Sequence, residues 1–257
     1  MSNSIPDLQS QNDDRNIGID KVGVKGVRYP LIVEDKINTI QHTIGDLDIY
    51  VELPHHTRGT HMSRFIQILN KYHEDKFIDQ LEPFLKELKE SLKAAVAYID
   101  IQFPYFVKKH APVSKIESLL SYNCTFNASY DQELKLWIGV VVPVTTLCPC
   151  SKEISQYGAH NQRSEITIKV CYNSFVWLED LIDYAESSCS CEIYPLLKRI
   201  DEKYVTEMAY NNPMFVEDIV RDLTIKLEAD DRITDYYIES NNFESIHNHN
   251  AYAMKRK

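Results

Sequence analysis

Only 7 of the 257 residues are glycine, where an average soluble protein carries about 7%. None of them (Gly18, Gly23, Gly26, Gly45, Gly59, Gly139, Gly158) falls in a G-x-G-x-x-G or a G-x-x-x-x-G-K-[ST] pattern. Those patterns let backbone N–H groups close around phosphate, so the two common glycine-rich nucleotide cradles are excluded. A nucleotide bound by this chain must be gripped by side chains and by the ends of helices and strands.

Hydrophobic residues make up 44% of the sequence, ample for a packed core in one large domain or two small ones. With 28 Lys+Arg against 38 Asp+Glu, the formal net charge is −10. An acidic chain without a basic tract is a poor match for duplex nucleic acid or an anionic membrane surface. It leaves room for a small anion in a locally basic pocket. Met1 to Arg15 is polar and has no apolar signal core. The longest apolar run, Leu136 to Leu147, is too short to span a bilayer and contains Pro143. A cytoplasmic address is therefore expected. Six cysteines are too few for a disulfide scaffold, so reduced thiols or metal ligands are expected.

Residues 1–20 read as an N-terminal arm. Val22–Val33 and Thr39–Leu53 alternate and are rich in β-branched residues, which predicts a pair of antiparallel strands. Helical spacing follows over Ser63–Ile78 and again over Leu81–Ile99. Strands are predicted at Phe103–Val107, Leu119–Phe126, Leu136–Thr146, Glu165–Cys171 and Ile233–Glu239. Helices are predicted at Trp177–Glu186 and Pro213–Leu227, the second with Pro213 in its first turn. The order gives an α+β chain of two similar halves, about 21–130 and 131–257.

Chemistry concentrates after residue 142. Cys148 and Cys150 stand in VPVTTLCPCSKE, and His160 follows in YGAHNQRS. A thiolate and an imidazole at the mouths of adjoining strands suit a Zn²⁺-type ion, and the alternative is two cysteines alternating along a strand, one of them buried. Cys189 and Cys191 form a second C-x-C pair, which leaves open a closed four-cysteine zinc site. In LLKRIDEKYVTE, acids and bases interleave; they form a solvated face or a carboxylate ligand beside cations for phosphate. His247 and His249 would share one side of an extended segment, a metal or acid–base pair or else part of a polar tail. His61 suits a helix entry or a substrate contact.

Taken together, VPVTTLCPCSKEIS, YGAHNQRS, LLKRIDEKYVTE, NPMFVEDIVRD, NFESIHNHNAYA, GTHMSRF, KVGVKGVRYP and QHTIGDLDIYVELP resemble GTP cyclohydrolase type IB. The resemblance runs from Ile5 to Ala253. It implies a tunnelling fold: two tandem modules of antiparallel sheet backed by paired helices, assembling as a homotetramer into an oligomeric barrel with interfacial active sites. It also implies the reaction. GTP and water give formate from C8, and the ribose then rearranges and closes to 7,8-dihydroneopterin triphosphate, the entry to folate and pterins.

Carried onto this sequence, Cys148, His160 and Glu202 resemble the ligands of a divalent ion, with zinc, manganese or iron suited to the mixed S, N and O set. Cys150 resembles the active-site thiol and His247 the catalytic histidine beside the ion. Glu217 resembles the carboxylate that anchors guanine, which can accept from N1–H and the 2-amino group. Lys198, Arg199, Lys203, Arg163 and Arg64 are candidates for the triphosphate. The rival reading is a non-catalytic tunnelling-fold protein that binds a purine or pterin and keeps its metal for structure.

Overall fold

The computed structural model of the chain describes residues 7–72 and 76–257, so part of the expected arm, residues 1–6, lies outside the described residues. The chain divides into two compact units, residues 1–103 with 125–136 and residues 104–124 with 137–257. In the first unit, long alternation becomes long strands. Strand β1 (Ile19–Asp35) and β2 (Thr39–Leu53) pair antiparallel, with Ile19 opposite Leu53 and Asp35 opposite Thr39. Asp35 shapes the turn: its Oδ1 accepts the N–H groups of Ile37 at 2.9 Å and Asn38 at 2.6 Å. A side-chain oxygen serving nearby backbone in this way is a common turn device. Leu47, Ile49 and Val51 are buried at every second position of β2. Strand β3 (Ala97–His110) lies beside them, with Ile49 opposite Ile99.

Two helices of this unit are shorter than their sequence periodicity predicts. Helix α1 (Met62–Leu69) buries Phe65, Ile68 and Leu69 and is capped at Asn70. The remainder of the expected 63–78 helix includes residues 73–75, which lie outside the described residues. Helix α2 (Phe77–Leu92) buries Leu81, Phe84, Leu85 and Leu88, and packs against α1, β1 and β2. It stops at Lys93, whose left-handed φ of 53° closes the last turn. Beyond it the burial period changes from helical to two, so Ala97 and Ile99 belong to β3.

The second unit holds most of β4 (Glu117–Tyr130) and β5 (Leu134–Leu147), followed by α3 (Pro149–Ile154) and β6 (Asn161–Tyr172). Next come α4 (Leu178–Glu186), the two-residue β7 (Cys191–Glu192), α5 (Arg199–Asn211) and α6 (Val216–Glu228). Strands β8 (Ile233–Asn242) and β9 (Ala251–Arg256) end the chain. The pairs β5–β6, β5–β7, β6–β8 and β8–β9 are all antiparallel. Helices α4 and α6 pack on each other, α4 against β6 and α6 against β8, with Leu181, Ile182, Ile219 and Leu223 in the core. Pro213 is not in the first turn of α6. That helix starts at Val216, because Asp218 Oδ2 accepts the Phe215 N–H at 3.0 Å and fixes Phe215 as its cap.

Gly23 shows how closely β1 and β2 approach. A Cβ there would lie 1.9 Å from the Ile49 carbonyl oxygen and 2.8 Å from Tyr50 Cα. Both obstacles are backbone and cannot rotate aside. Gly23→Ala is expected to cost about 1–3 kcal/mol, read as a lower urea midpoint at an unchanged denaturant slope. A wild-type midpoint would show that the two strands part freely.

Candidate active site

Strands β5 and β6 pair from Trp137 opposite Cys171 to Leu147 opposite Asn161. The next residue on each side is Cys148 and His160, and the Cys148 N–H donates to the His160 carbonyl at 3.1 Å. Here the strand stops and turns. Cys148 is the residue capping α3, and its Sγ accepts the Ser151 N–H at 3.4 Å. Pro149 suits the first helical position, where no N–H is required. Ser151 Oγ donates to the Cys148 carbonyl at 3.2 Å and accepts the His160 N–H at 3.2 Å. The thiol and imidazole residues are thus stitched together through one serine. The reading of Cys148 and Cys150 as alternating strand residues fails, since β5 ends at Leu147 and Cys150 is exposed on α3.

The His160 ring has its own partners. Its Nδ1 lies 3.1 Å from Gln162 Oε1, 3.5 Å from Ser245 Oγ and 3.9 Å from a Glu244 carboxylate oxygen. Gln162 donates to Thr146 Oγ1 at 2.7 Å, and the Thr146 and Ser164 hydroxyls are 2.8 Å apart. The segment carrying Glu244 and Ser245 is tied to β6 where the Phe243 N–H donates to the Arg163 carbonyl at 3.0 Å. Farther along it, His247 and His249 are exposed and stacked, with ring centroids 5.0 Å apart and planes 14° from parallel.

The interleaved charges of 198–203 form the cap and first turn of α5, a helix not among those that the sequence predicts. Asp201 turns inward and is fully buried. Its carboxylate accepts the N–H groups of Val113 (2.9 Å), Ser114 (2.8 Å) and Lys198 (2.9 Å), and the Ser114 hydroxyl at 2.6 Å. Burial works against the charge, but these hydrogen bonds outweigh it and hold the carboxyl well below its ordinary range. Lys198, Arg199, Glu202 and Lys203 are exposed around this anchor, and Lys203 pairs with Glu207 at 3.8 Å. In the single chain Lys203 thus lies on a solvated face and Asp201 does not.

A cleft of about 360 Å³ in the second unit is lined by Asn161, Arg163, Glu192, Tyr194 and Thr206, among others. Beside it, the buried Lys109 ammonium lies 2.6 Å from Glu186 and 2.5 Å from Glu192, and the Tyr122 hydroxyl donates to Glu186 at 2.7 Å. Burial pushes the Glu186 carboxyl up, and Lys109 opposes it. Burial also works against the Lys109 charge, but the two carboxylates win and the net shift is upward. Removing one member of such a group leaves an uncompensated buried charge, at a cost of about 3–5 kcal/mol.

Cys189 and Cys191 belong to this wall and do not join Cys148. Both are buried, and burial raises the Cys191 thiol to about 11 and the Cys189 thiol further. Cys189 Sγ donates to the Glu186 carbonyl at 3.0 Å. Glu217 is exposed in the first turn of α6, next to the capping Asp218. In the first unit, His61 stands just before α1 without a side-chain capping bond and lies 3.2 Å from Asp7, while Arg64 donates to the Ser91 carbonyl at 3.1 Å.

Among the described residues, no three His, Cys, Asp or Glu side chains gather closely enough to hold an ion. Glu202 is thus not drawn into one group with Cys148 and His160 within the chain. The donor chemistry does fit a divalent ion in part: His160 engages Nδ1 with Gln162, leaving Nε2 for a ligand bond, and Cys148 supplies sulfur.

Solved structures show the class of fold. A hyperthermostable mutant of Bacillus sp. TB-90 urate oxidase matches with TM-score 0.54 and 13% identity, over 93% of this chain and 97% of that one. A hyper-thermostable AgUricase mutant matches with TM-score 0.50 and 10% identity, over 94% and 91%. The chain is therefore a mixed α and β protein with the antiparallel sheet of tunnelling-fold proteins, as its sequence led one to expect. The family is narrower. Residues 5–253 match the family described as type I GTP cyclohydrolase folE2. GTP cyclohydrolase FolE2 of Geobacter metallireducens is 54% identical over 97% of this chain and 96% of its own length. That of Geobacter sulfurreducens is 54% identical over 97% and 96%, and that of Nitrosococcus oceani 53% over 97% and 94%. The chain belongs to the type I GTP cyclohydrolase folE2 family.

Asp201→Asn tests the anchor under Glu202. The amide keeps one acceptor oxygen but turns an NH₂ toward donors, so thermal stability is expected to fall at pH 7. A depressed folded-state pKa contributes stability above the ordinary value of 3.8 and loses it as pH falls further. The gap between variant and wild-type melting temperatures should hold down to about pH 4 and narrow below it. A gap independent of pH would contradict the charged anchor.

Proposed function

We propose that this chain is a GTP cyclohydrolase of folate biosynthesis whose centre is the Cys148–His160 pair at the ends of β5 and β6. The supporting observation is that backbone bond between two potential ligands, in a chain 54% identical to GTP cyclohydrolase FolE2 of Geobacter metallireducens. The substrate is GTP. Two hydrolytic steps release C8 as formate, and rearrangement and closure of the ribose give 7,8-dihydroneopterin triphosphate.

Cys148, His160 and Glu202 would hold a divalent ion, zinc, manganese or iron. When bound, such an ion supplies Lewis acidity that brings the pKa of water toward 7. The chain's own residues do the rest. The Glu217 carboxylate, exposed at the start of α6, accepts hydrogen bonds from guanine N1–H and the 2-amino group. His247 gives a proton to N7 or N9 as the imidazole ring opens, and takes one back for the second hydrolysis. Cys150 supplies a thiol beside the ring. Lys203 has its Glu207 partner and Arg64 its Ser91 carbonyl, which ranks them below Lys198, Arg199 and Arg163 as triphosphate contacts. His61 is assigned to substrate binding.

Glu202, Glu217 and His247 are exposed in the single chain. The proposed assembly is a homotetramer with the sites at its interfaces, where these exposed groups would meet. No helix among the described residues is long and apolar enough to cross a membrane. The enzyme is assigned to the cytoplasm.

Incubation of Mn²⁺-, Zn²⁺- or Fe²⁺-loaded protein with GTP is expected to release formate and a pterin that fluoresces after oxidation. No formate with any of the three would sink the enzyme reading and favour a binding protein. Cys148→Ala and Glu202→Ala should lose bound metal. Glu217→Gln should keep the metal but raise KM for GTP about 10- to 100-fold, because hydrogen bonds to a charged acceptor contribute about 1.5–3 kcal/mol.

A further inference from the structure

Three buried polar side chains run behind His160: Gln162, 7% exposed, then Thr146 and Ser164, both 0%. They are bonded in series, imidazole to amide at 3.1 Å, amide to hydroxyl at 2.7 Å, and hydroxyl to hydroxyl at 2.8 Å. Buried polar groups are costly unless bonded, so the series has to run consistently in one direction or the other. With the amide oxygen toward the ring, Nδ1 must carry the proton. With the amide turned over, Nδ1 must offer a lone pair, and the hydroxyls can rotate to suit either state.

The tie is broken from the other side of the same nitrogen. A Glu244 carboxylate oxygen lies 3.9 Å from Nδ1, and both side chains are mostly buried, 13% and 15% exposed. Ser245 Oγ lies 3.5 Å away. A carboxylate only accepts, and in a partly dry site its charge favours a proton facing it. Gln162 and Glu244 therefore demand the same thing of the ring.

We propose that Gln162, backed by Thr146 and Ser164, is a positioning residue that holds His160 as the Nδ1–H tautomer and keeps Nε2 bare for a divalent cation. This rests on the reading of His160 as a ligand. An acceptor on the far nitrogen is the usual support of a metal-binding histidine, and its loss lowers metal affinity by about 10- to 100-fold. The support is built into the strand pair. Gln162 and Ser164 alternate along β6, His160 stands one residue before that strand, and Thr146 is the residue of β5 directly opposite Gln162.

Long-range ¹⁵N NMR on the metal-free protein near pH 8, where imidazoles are neutral, reads the tautomer directly. The His160 signals are assigned by their loss in His160→Ala. Wild type is expected to show Nδ1 protonated and Nε2 bare. Gln162→Leu keeps the bulk and removes the amide; it is expected to mix the tautomers and to lose about 10- to 100-fold in Zn²⁺ affinity by chelator competition. Circular dichroism checks that the variant folds. If it does not, Thr146→Val, which frees the amide to turn over, carries the same two readouts. An Nε2–H tautomer in wild type overturns the proposal, as does a folded Gln162→Leu with unchanged tautomer and affinity. Unchanged Zn²⁺ affinity in His160→Ala would overturn the ligand reading and the metal half of the proposal with it. The NMR spectrum decides the tautomer half in either case.

Discussion

The register of β5 against β6 is the constraint on which the second unit depends. Val140, Val142 and Val144 on one strand and Ile166, Ile168 and Val170 on the other are all buried. A slip of one residue would turn every one of them to the opposite face. The apolar pattern therefore fixes the register, and the register sets Cys148 beside His160 and Thr146 opposite Gln162. The strand end is held from two further directions. The Leu147 N–H donates to Ser190 Oγ at 3.0 Å, and its carbonyl accepts the Met214 N–H at 3.1 Å. The second of these bonds ties the approach to α6, and hence to Glu217, onto the same strand end.

The starts of α5 and α6 solve one problem in the same way. Each carries two consecutive acids in its first turn, Asp201 with Glu202 in α5 and Glu217 with Asp218 in α6. In both, the aspartate accepts the N–H of the residue that caps its own helix, Lys198 at 2.9 Å and Phe215 at 3.0 Å. Satisfying that N–H fixes the first turn, and the fixed turn sends the neighbouring glutamate out to solvent. The aspartate is structural and the glutamate is left available for chemistry. In the wall beside the cleft, the Lys109 ammonium is held between the buried Glu186 and the half-exposed Glu192.

Much of this was legible in the sequence because burial has a period. The alternation of β1, β2, β5 and β6 and the 3.6-residue spacing of α2, α4 and α6 report directly which face is dry. Helix α5 was not legible. Its apolar residues Ile200, Tyr204 and Met208 do recur at helical spacing, but all three are exposed and a buried position is taken by a carboxylate, Asp201, so the interleaved charges hide the stripe. The end of the first helix at Leu69 and the change of period after Lys93 depend on local backbone geometry that composition does not encode. At the site, Cys148 and His160 stood out as chemical types in a familiar motif. Gln162 did not, because an amide in a strand is ordinary until its neighbours are known. Its signal was the period-two spacing His160, Gln162, Ser164, polar residues at the start of β6 whose intervening neighbours Asn161 and Arg163 are exposed.

The pairing of β6 with β8 divides the surroundings of His160 by the order in which the chain can assemble them. Cys148, Ser151 and His160 lie within one short connection between neighbouring strands, so their contacts need only a small loop to close. Glu244, Ser245 and His247 follow β8, whose partner β6 ends at Tyr172 while β8 begins at Ile233. Three helices and β7 intervene, and loop-closure entropy rises with the length enclosed. One side of the imidazole is therefore furnished by local sequence, and the other only after the longest-range pairing of the unit has formed.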